Sequence, residues 1–158
     1  MQLFVMRHGE AEGYSVNDSE RNLTVRGQSE AEAILNGSLE SMAAVDCIYA
    51  SPYLRAQQTA QIASRLLRLP VITCEHLVPD TQRSTLVKFV ESLRRDPVLE
   101  GGQPTPLLVT HQPLIGGVVD WLCGLEYGQH VMGTSALASI DVDVVAGSCG
   151  SLSFMRQP

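Results

Sequence analysis

The sequence has little positive charge and no long apolar run. Eleven Lys and Arg residues stand against seventeen Asp and Glu residues, which gives a net charge of −6 at pH 7. A nonspecific nucleic-acid binder needs a basic face, so this balance argues against that class. No apolar stretch reaches the ~18 residues of a membrane helix, and the first one, residues 3–6, ends at Arg7 and His8. We therefore predict a cytoplasmic protein that binds neither nucleic acid nor membranes.

Cysteine and lysine are also scarce. The four cysteines, at positions 47, 74, 123 and 149, form no C-x-x-C pair and no cluster with histidines. Neither a redox motif nor a structural zinc site is predicted, and we expect reduced, mostly buried thiols. Lys88 is the single lysine among the cations. The remaining arginines favour bidentate recognition of anions, although codon bias explains the preference equally well.

Length and composition are typical of one globular domain. The chain has 158 residues, of which 44% are hydrophobic and 18% charged. A disordered chain would contain fewer apolar and more charged residues. We predict a single domain over residues 1–158, acting as a monomer.

Short apolar runs alternate with segments of helical periodicity. The runs predict strands at 2–6, 46–50, 71–74, 107–110, 136–145 and 151–155, the last two forming a hairpin. Helices are predicted at 24–42, 51–67, 84–95 and 114–122, with Thr24, Ser51 and Ser84 as caps. Alternatively, Gly37 ends the first helix early. Such alternation predicts an α/β fold, a three-layer α/β/α sandwich around a mainly parallel sheet.

Charged and polar side chains follow three of these predicted strands. Arg7 and His8 follow the first, Ser51 to Arg55 the second, and His111 a later one. If one sheet aligns these ends, two arginines and two histidines share a pocket. Guanidinium groups and a helix start would make this pocket a trap for phosphate.

A histidine beside arginines can also react with phosphate. Neutral imidazole attacks phosphorus and forms a phosphoramidate, which water then hydrolyses, so the transfer proceeds in two steps. Nearby cations would stabilise the transferring phosphoryl group by electrostatics and positioning. No metal and no cofactor is predicted.

Four ordered motifs carry a family resemblance. MRHGEAE, RNLTVRG, SPYLRAQQTA and VTHQPL, within about residues 1–140, resemble the signatures of the histidine phosphatase superfamily, whose fold is phosphoglycerate mutase-like. The short length, the DSERNLT spacing, the LP before the third strand and GTSALAS are most similar to the small bacterial phosphohistidine phosphatases of that superfamily. The resemblance thus implies a phosphatase.

The resemblance also implies roles for individual residues. His8 matches the nucleophile that accepts the phosphoryl group, and Arg7 matches the phosphate-binding arginine beside it. Arg55 matches the second phosphate-binding arginine, and His111 matches the pocket histidine that donates to a phosphoryl oxygen.

The position of Arg21 in the sequence has two interpretations. Similar sequences have an arginine before L-T, which places Arg21 at the rim of the phosphate pocket. A salt bridge to Asp18, Glu20 or Glu10 in the same polar loop is an equal alternative.

One departure from the family bears on the substrate. Larger members that act on phosphate esters use a carboxylate as general acid after the third strand, where this sequence offers only Glu75 or Asp80, neither in a clear motif. Hydrolysis of phosphohistidine needs no such acid, because its leaving group is a neutral imidazole, whose conjugate acid has a pKa of about 6.5.

We therefore predict a phosphohistidine phosphatase with a covalent intermediate on His8. Its expected partner is a phosphohistidine-bearing protein, such as a histidine-phosphotransfer domain of a sensor kinase. The alternatives are a small-molecule ester phosphatase or mutase of the same superfamily, and a noncatalytic module that binds phosphohistidine.

Overall fold

In the part of the chain that the structure describes, six strands and four helices alternate until two final strands follow each other. The computed structural model describes residues 1–13, 15–94 and 103–158. The strands are β1 Gln2–Arg7, β2 Cys47–Ala50, β3 Val71–Thr73, β4 Pro106–Thr110, β5 Leu137–Val142 and β6 Gly150–Arg156. The helices are α1 Val25–Asn36, α2 Leu54–Leu67, α3 Arg83–Arg94 and α4 Leu114–Leu122. Short 3-10 helices lie at Asp18–Glu20 and Glu75–Leu77.

The strands form one mixed sheet in the order β3-β2-β4-β1-β5-β6. The pairs β3 with β2, β2 with β4, and β4 with β1 are parallel. β5 runs antiparallel to both β1 and β6, so the chain closes in the expected hairpin. The prediction of a mainly parallel sheet is confirmed.

Apolar side chains of the sheet point alternately into two cores. On β1, Leu3 and Val5 pack with residues of α3 and α4, whereas Phe4 and Met6 pack with residues of α1 and α2. All four side chains are fully buried. Because successive residues of a strand face opposite sides, a strand covered on both faces is apolar throughout. The three-layer sandwich is thus confirmed.

The helix ends match the predictions only in part. Thr24 caps α1 by accepting a hydrogen bond of 2.9 Å from the N–H of Gly27, and α1 ends early, at Gly37. Ser51 is wrong as the cap of α2, because Tyr53 occupies that position and the helix begins at Leu54. Ser84 is wrong as a cap too, since it lies inside α3. The predicted helix end at position 95 lies outside the described residues.

The four cysteines are free thiols, but the prediction that most of them are buried is wrong. Cys74 is buried, Cys47 and Cys123 are half-buried, and Cys149 is exposed. Of the helices in the described part of the chain, none has the length and apolar character to cross a membrane.

Backbone packing fixes the loop after β1 against α1. A Cβ added to Gly27 would lie 2.1 Å from the carbonyl oxygen of Glu10, and one added to Gly9 would lie 2.7 Å from the carbonyl oxygen of Gly27. The N–H of Gly9 also donates to the Thr59 hydroxyl at 3.0 Å. The loop therefore has a rigid position between α1 and α2.

Candidate active site

Three strand ends meet at the carboxyl edge of the sheet. β4 lies between β1 and β2, and Arg7 pairs with Thr110 at the end of this parallel ladder. The rings of His8 and His111 lie 4.9 Å apart, centroid to centroid. Both histidines line a cavity of about 290 Å³ together with Arg7, Arg21 and Arg55. The predicted convergence is therefore confirmed, and Arg21 belongs to the same cavity.

His8 is buried with a defined proton position. Its Nε2 lies 3.1 Å from Nε of Arg55, and its Nδ1 lies 2.7 Å from the carbonyl oxygen of Gly9. Because a guanidinium N–H can only donate, Nε2 of His8 accepts and the proton is on Nδ1, which donates to Gly9. Nε2 therefore presents its lone pair to the group of cations.

The environment of His8 keeps the ring neutral. Burial is the main reason that the pKa of His8 falls from 6.5 to about 4. The hydrogen bond to Gly9 opposes this fall, and the nearby arginine charges add to it. At pH 7 the ring is thus in the form that acts as a nucleophile.

Arg55 is buried at the start of α2, where the helix dipole disfavours a cation. Its Nη1 donates to the carbonyl oxygen of Asp18 at 2.6 Å, and its Nη2 donates to the carboxylate of Asp18 at 2.9 Å. Because its Nε donates to Nε2 of His8, the guanidinium connects the histidine to the Asp18–Glu20 turn. A buried guanidinium at this position is well placed to receive an anion.

Arg7 has one buried polar atom that no described residue pairs with. Its Nη1 donates to the carbonyl oxygen of Met132 at 2.8 Å, whereas its buried Nε has no hydrogen-bond partner among the described residues. Burial, and then the charge of Arg55, lower the pKa of Arg7. Buried polar atoms are rarely left unpaired, and an oxyanion in the cavity would supply acceptors and negative charge.

A buried carboxylate organises the segment that holds Arg7. Asp120 accepts backbone N–H bonds of 2.8 to 3.0 Å from Gly128, Gln129 and His130. The same carboxylate lies 2.7 Å from Nδ1 of the His130 ring. These bonds order the connection from α4 to β5, which supplies the Met132 carbonyl.

His111 is paired with Ser51. Nε2 of His111 lies 2.8 Å from the Ser51 hydroxyl, and its buried Nδ1 has no partner in the part of the chain that the structure describes. Burial, then the proximity of His8 and of the arginines Arg55 and Arg7, lowers the pKa of His111 to about 2, so the ring is neutral at pH 7. Ser51 was not predicted as a site residue, because its place before a helix is typical of a cap.

Arg21 has both of the predicted placements, at the rim of the cavity and in an ion pair. It lines the cavity, and its Nη1 forms a salt bridge of 2.9 Å with Asp18. Its Nε donates to the carbonyl oxygen of Glu12 at 2.7 Å. The rim position and the ion pair therefore coexist.

Asp18 is a site residue that the sequence predicts only as a partner of Arg21. One carboxylate oxygen contacts Arg21 and the other contacts Arg55, each at 2.9 Å. These hydrogen bonds, that of Arg21 first, lower the pKa of Asp18. The carboxylate, whose side chain is 56% exposed, thus occupies donors that a phosphoryl group would use.

Glu75 and Asp80 lie outside this group. Both are exposed, and neither is among the described residues that line the cavity. The lining carboxylates are instead Asp18 and Glu10, and Glu10 accepts a hydrogen bond of 2.8 Å from Thr24. The cavity combines a neutral imidazole, guanidinium donors and unpaired polar atoms, which suits attack on a phosphoryl group.

The two low histidine pKa values predict a pH-dependent stability. Below pH 6.5 the unfolded chain takes up protons on His8 and His111, whereas the folded chain takes up its first near pH 4. The free energy of unfolding is expected to fall by about 2 kcal/mol per histidine between pH 7 and 5. Urea denaturation at both pH values measures it. A His111→Asn variant should lose about half of this dependence, and an unchanged dependence would contradict the prediction.

Asp18→Asn should strengthen the binding of inorganic phosphate. The substitution removes a negative charge that competes for two guanidinium groups, so Kd should fall about fivefold, or about 1 kcal/mol. Isothermal titration calorimetry measures the change. Asp143→Asn, an exposed carboxylate beyond β5, is the control that should leave Kd unchanged. Weaker binding in Asp18→Asn would show that Asp18 mainly positions Arg55.

Comparisons with known proteins support a common ancestry. Residues 3–78 match the model of the histidine phosphatase superfamily, branch 1. The chain is 31% identical over 145 residues to the phosphohistidine phosphatase SixA of Escherichia coli K12, covering 90% of this chain and 86% of that protein. It is 32% identical over 135 residues to a SixA homologue of Haemophilus influenzae, covering 78% of each chain.

A solved structure agrees with these sequence matches. The structure of the protein histidine phosphatase SixA complexed with tungstate superimposes with a TM-score of 0.86 at 29% identity. The match covers 100% of this chain and 97% of that chain. The similarity therefore extends over the whole sandwich, including all the strands that position the cavity.

Proposed function

Because the chain belongs to the histidine phosphatase superfamily, we propose that it removes phosphoryl groups from phosphohistidine in a signalling or phosphocarrier protein. The observation that carries the proposal is the lone pair of His8 Nε2 beside the guanidinium of Arg55. The relatives named phosphohistidine phosphatases support the same substrate. The expected partner is a histidine-phosphotransfer domain or a similar carrier. We expect the protein to meet this partner in the cytoplasm, as a monomer with a single domain.

In the first step, Nε2 of His8 releases the hydrogen bond that it accepts from Arg55 Nε, and its freed lone pair attacks phosphorus. The new P–Nε2 bond forms while the P–N bond of the substrate breaks, and the bonding pair returns to the substrate imidazole. That imidazole carries a proton on its other nitrogen and leaves as a neutral ring, so no general acid is required. The Nδ1–H of His8 keeps its hydrogen bond to Gly9 and thereby stabilises the cationic phosphohistidine on the enzyme.

In the second step, water releases the phosphoryl group. A water oxygen bonds to phosphorus, the P–Nε2 bond breaks, and His8 regains its lone pair. The water proton passes to solvent, and inorganic phosphate leaves. The neutral leaving ring again makes an acid unnecessary.

The surrounding donors supply the electrostatic stabilisation. Arg7 and Arg55 bind the phosphoryl oxygens, His111 donates from Nδ1 when Ser51 donates to its Nε2, and Arg21 adds charge at the rim. Such pre-positioned donors are the main source of catalysis in phosphoryl transfer. The tungstate bound by the SixA relative is a tetrahedral oxyanion of the kind such donors would hold. Substrate binding displaces Asp18 from Arg55.

The test compares two substrates without added metal. One is a histidine-phosphotransfer domain phosphorylated on its histidine, and the other is phosphoglycerate, an ester with a poor leaving group. We expect rapid phosphate release from the domain and little from the ester. Faster release from the ester would identify a metabolic phosphatase, and binding without turnover would identify a noncatalytic module.

Carboxylate variants separate the proposal from the ester alternative. Glu75→Gln and Asp80→Asn are expected to retain kcat for the phosphorylated domain within about twofold, because both side chains are exposed outside the cavity. Phosphate release under saturating substrate measures kcat. A tenfold loss in either variant would assign a general acid and contradict the proposed leaving-group chemistry.

A further inference from the structure

A second cavity adjoins the first. Its volume is about 440 Å³, and Pro79 lines both cavities. Gln112 lines the first cavity and its neighbour Pro113 lines the second. The remaining walls come from residues 81–84, which lead into α3, from the first turn of α4 and from Tyr127. A ligand that reaches His8 can therefore continue into this space without leaving the surface.

The second cavity has an apolar wall and one charge. Leu114, the two prolines and the ring of Tyr127 form the apolar part. Of the described residues that line it, Arg83 alone is charged, and its guanidinium carbon lies 5.7 Å from the centroid of the Trp121 ring. This cation–π contact with Trp121 holds the guanidinium, and Arg83 is exposed. An apolar group with a carboxylate beyond it would match these walls.

Three exposed apolar side chains lie close together in the sequence, and one of them, Tyr127, lines this cavity. Leu125, Tyr127 and Val131 lie within seven residues and are 44%, 70% and 65% exposed. A partner bound in the cavity would cover the exposed ring of Tyr127. Tyrosine and arginine are also the residue types that contribute most at protein interfaces.

We propose that the second cavity binds the substrate protein beside its phosphohistidine. This inference rests on the proposed function and assigns a specificity site to it. An apolar side chain of the partner packs on Tyr127 and Leu114, and a carboxylate of the partner pairs with Arg83. A metabolite phosphate would fill only the first cavity, whereas a polypeptide spans both.

The test compares variants on a protein substrate and on the smallest substrate with a P–N bond. The variants are Tyr127→Ala and Arg83→Glu, and the probes are the phosphorylated histidine-phosphotransfer domain and phosphoramidate. Each variant should lower kcat/KM for the domain about tenfold, through KM, and the double variant should lower it further than either single one. For phosphoramidate, kcat/KM should stay within twofold. Arg65→Glu on α2 and Val144→Ala beyond β5 are matched controls, both exposed, that should change neither.

Two results would overturn the inference while the proposed function stands. Unchanged kcat/KM on the domain in both variants would show that the cavity is not used, and equal losses on both substrates would show a structural role for these side chains. Failure of the wild-type protein to act on the domain would instead contradict the proposed function, and this inference with it. The wild-type measurement therefore distinguishes the two failures.

Discussion

A His8→Ala variant is expected to release phosphate from a phosphorylated histidine-phosphotransfer domain at least about a thousandfold more slowly than the wild type. The substitution removes the nucleophile and with it the two-step covalent route, which neighbouring cations cannot replace. Phosphate release under single-turnover conditions measures the loss. Wild-type protein mixed with a radiolabelled domain should also acquire label that is stable to alkali and labile to acid.

His76→Ala is the matched control for this loss. His76 is exposed, contacts Phe89 and lies outside the cavity, so its removal should leave turnover unchanged. Thermal unfolding of both variants verifies that they are folded. A His8→Ala variant that retains a tenth of the wild-type rate, or a label that persists in it, would show that another residue accepts the phosphoryl group.

Arg55→Lys should lower kcat by about a hundredfold to a thousandfold although the charge is kept. The guanidinium donates through three nitrogens, to His8 and to two oxygens of Asp18. A lysine ammonium is a point charge that cannot reproduce this planar geometry or bind phosphate in two places. Steady-state kinetics with the phosphorylated domain measures the loss.

Arg65→Lys controls for the exchange of an arginine on the same helix. Arg65 is exposed near the end of α2, so its variant should have the wild-type kcat. A loss of less than tenfold in Arg55→Lys would mean that charge alone suffices at this position. The planar geometry of the guanidinium group would then have no catalytic importance.

The arrangement of the site could be predicted because its parts follow parallel strands. β1, β2 and β4 are adjacent, so the residues after them meet at one edge whatever the intervening loops do. The bounds of α4 follow from its apolar run, which is followed by Gly124, a glycine with a positive φ of 71° just beyond the helix end. In both cases, local pattern and tertiary packing favour the same structure.

Side-chain partners from distant segments could not be predicted. Ser51 has the sequence position of a helix cap, but its hydroxyl pairs with His111, which is 60 residues away along the chain. Asp18 lies in a polar loop, and its second cation, Arg55, is 37 residues away. The sequence pattern reports neighbours along the chain, whereas these pairs depend on how the loops fold over the edge of the sheet.

The contact between Gly9 and Gly27 limits how this site can vary among related proteins. Any side chain at either position would collide with the backbone of the other segment, and backbone atoms cannot move aside as a flexible side chain does. The glycine after the histidine is therefore required by the shape of the fold and not by the chemistry of phosphate. Descendants of this architecture that change their substrate, or lose activity altogether, would still need both glycines to keep α1 in place.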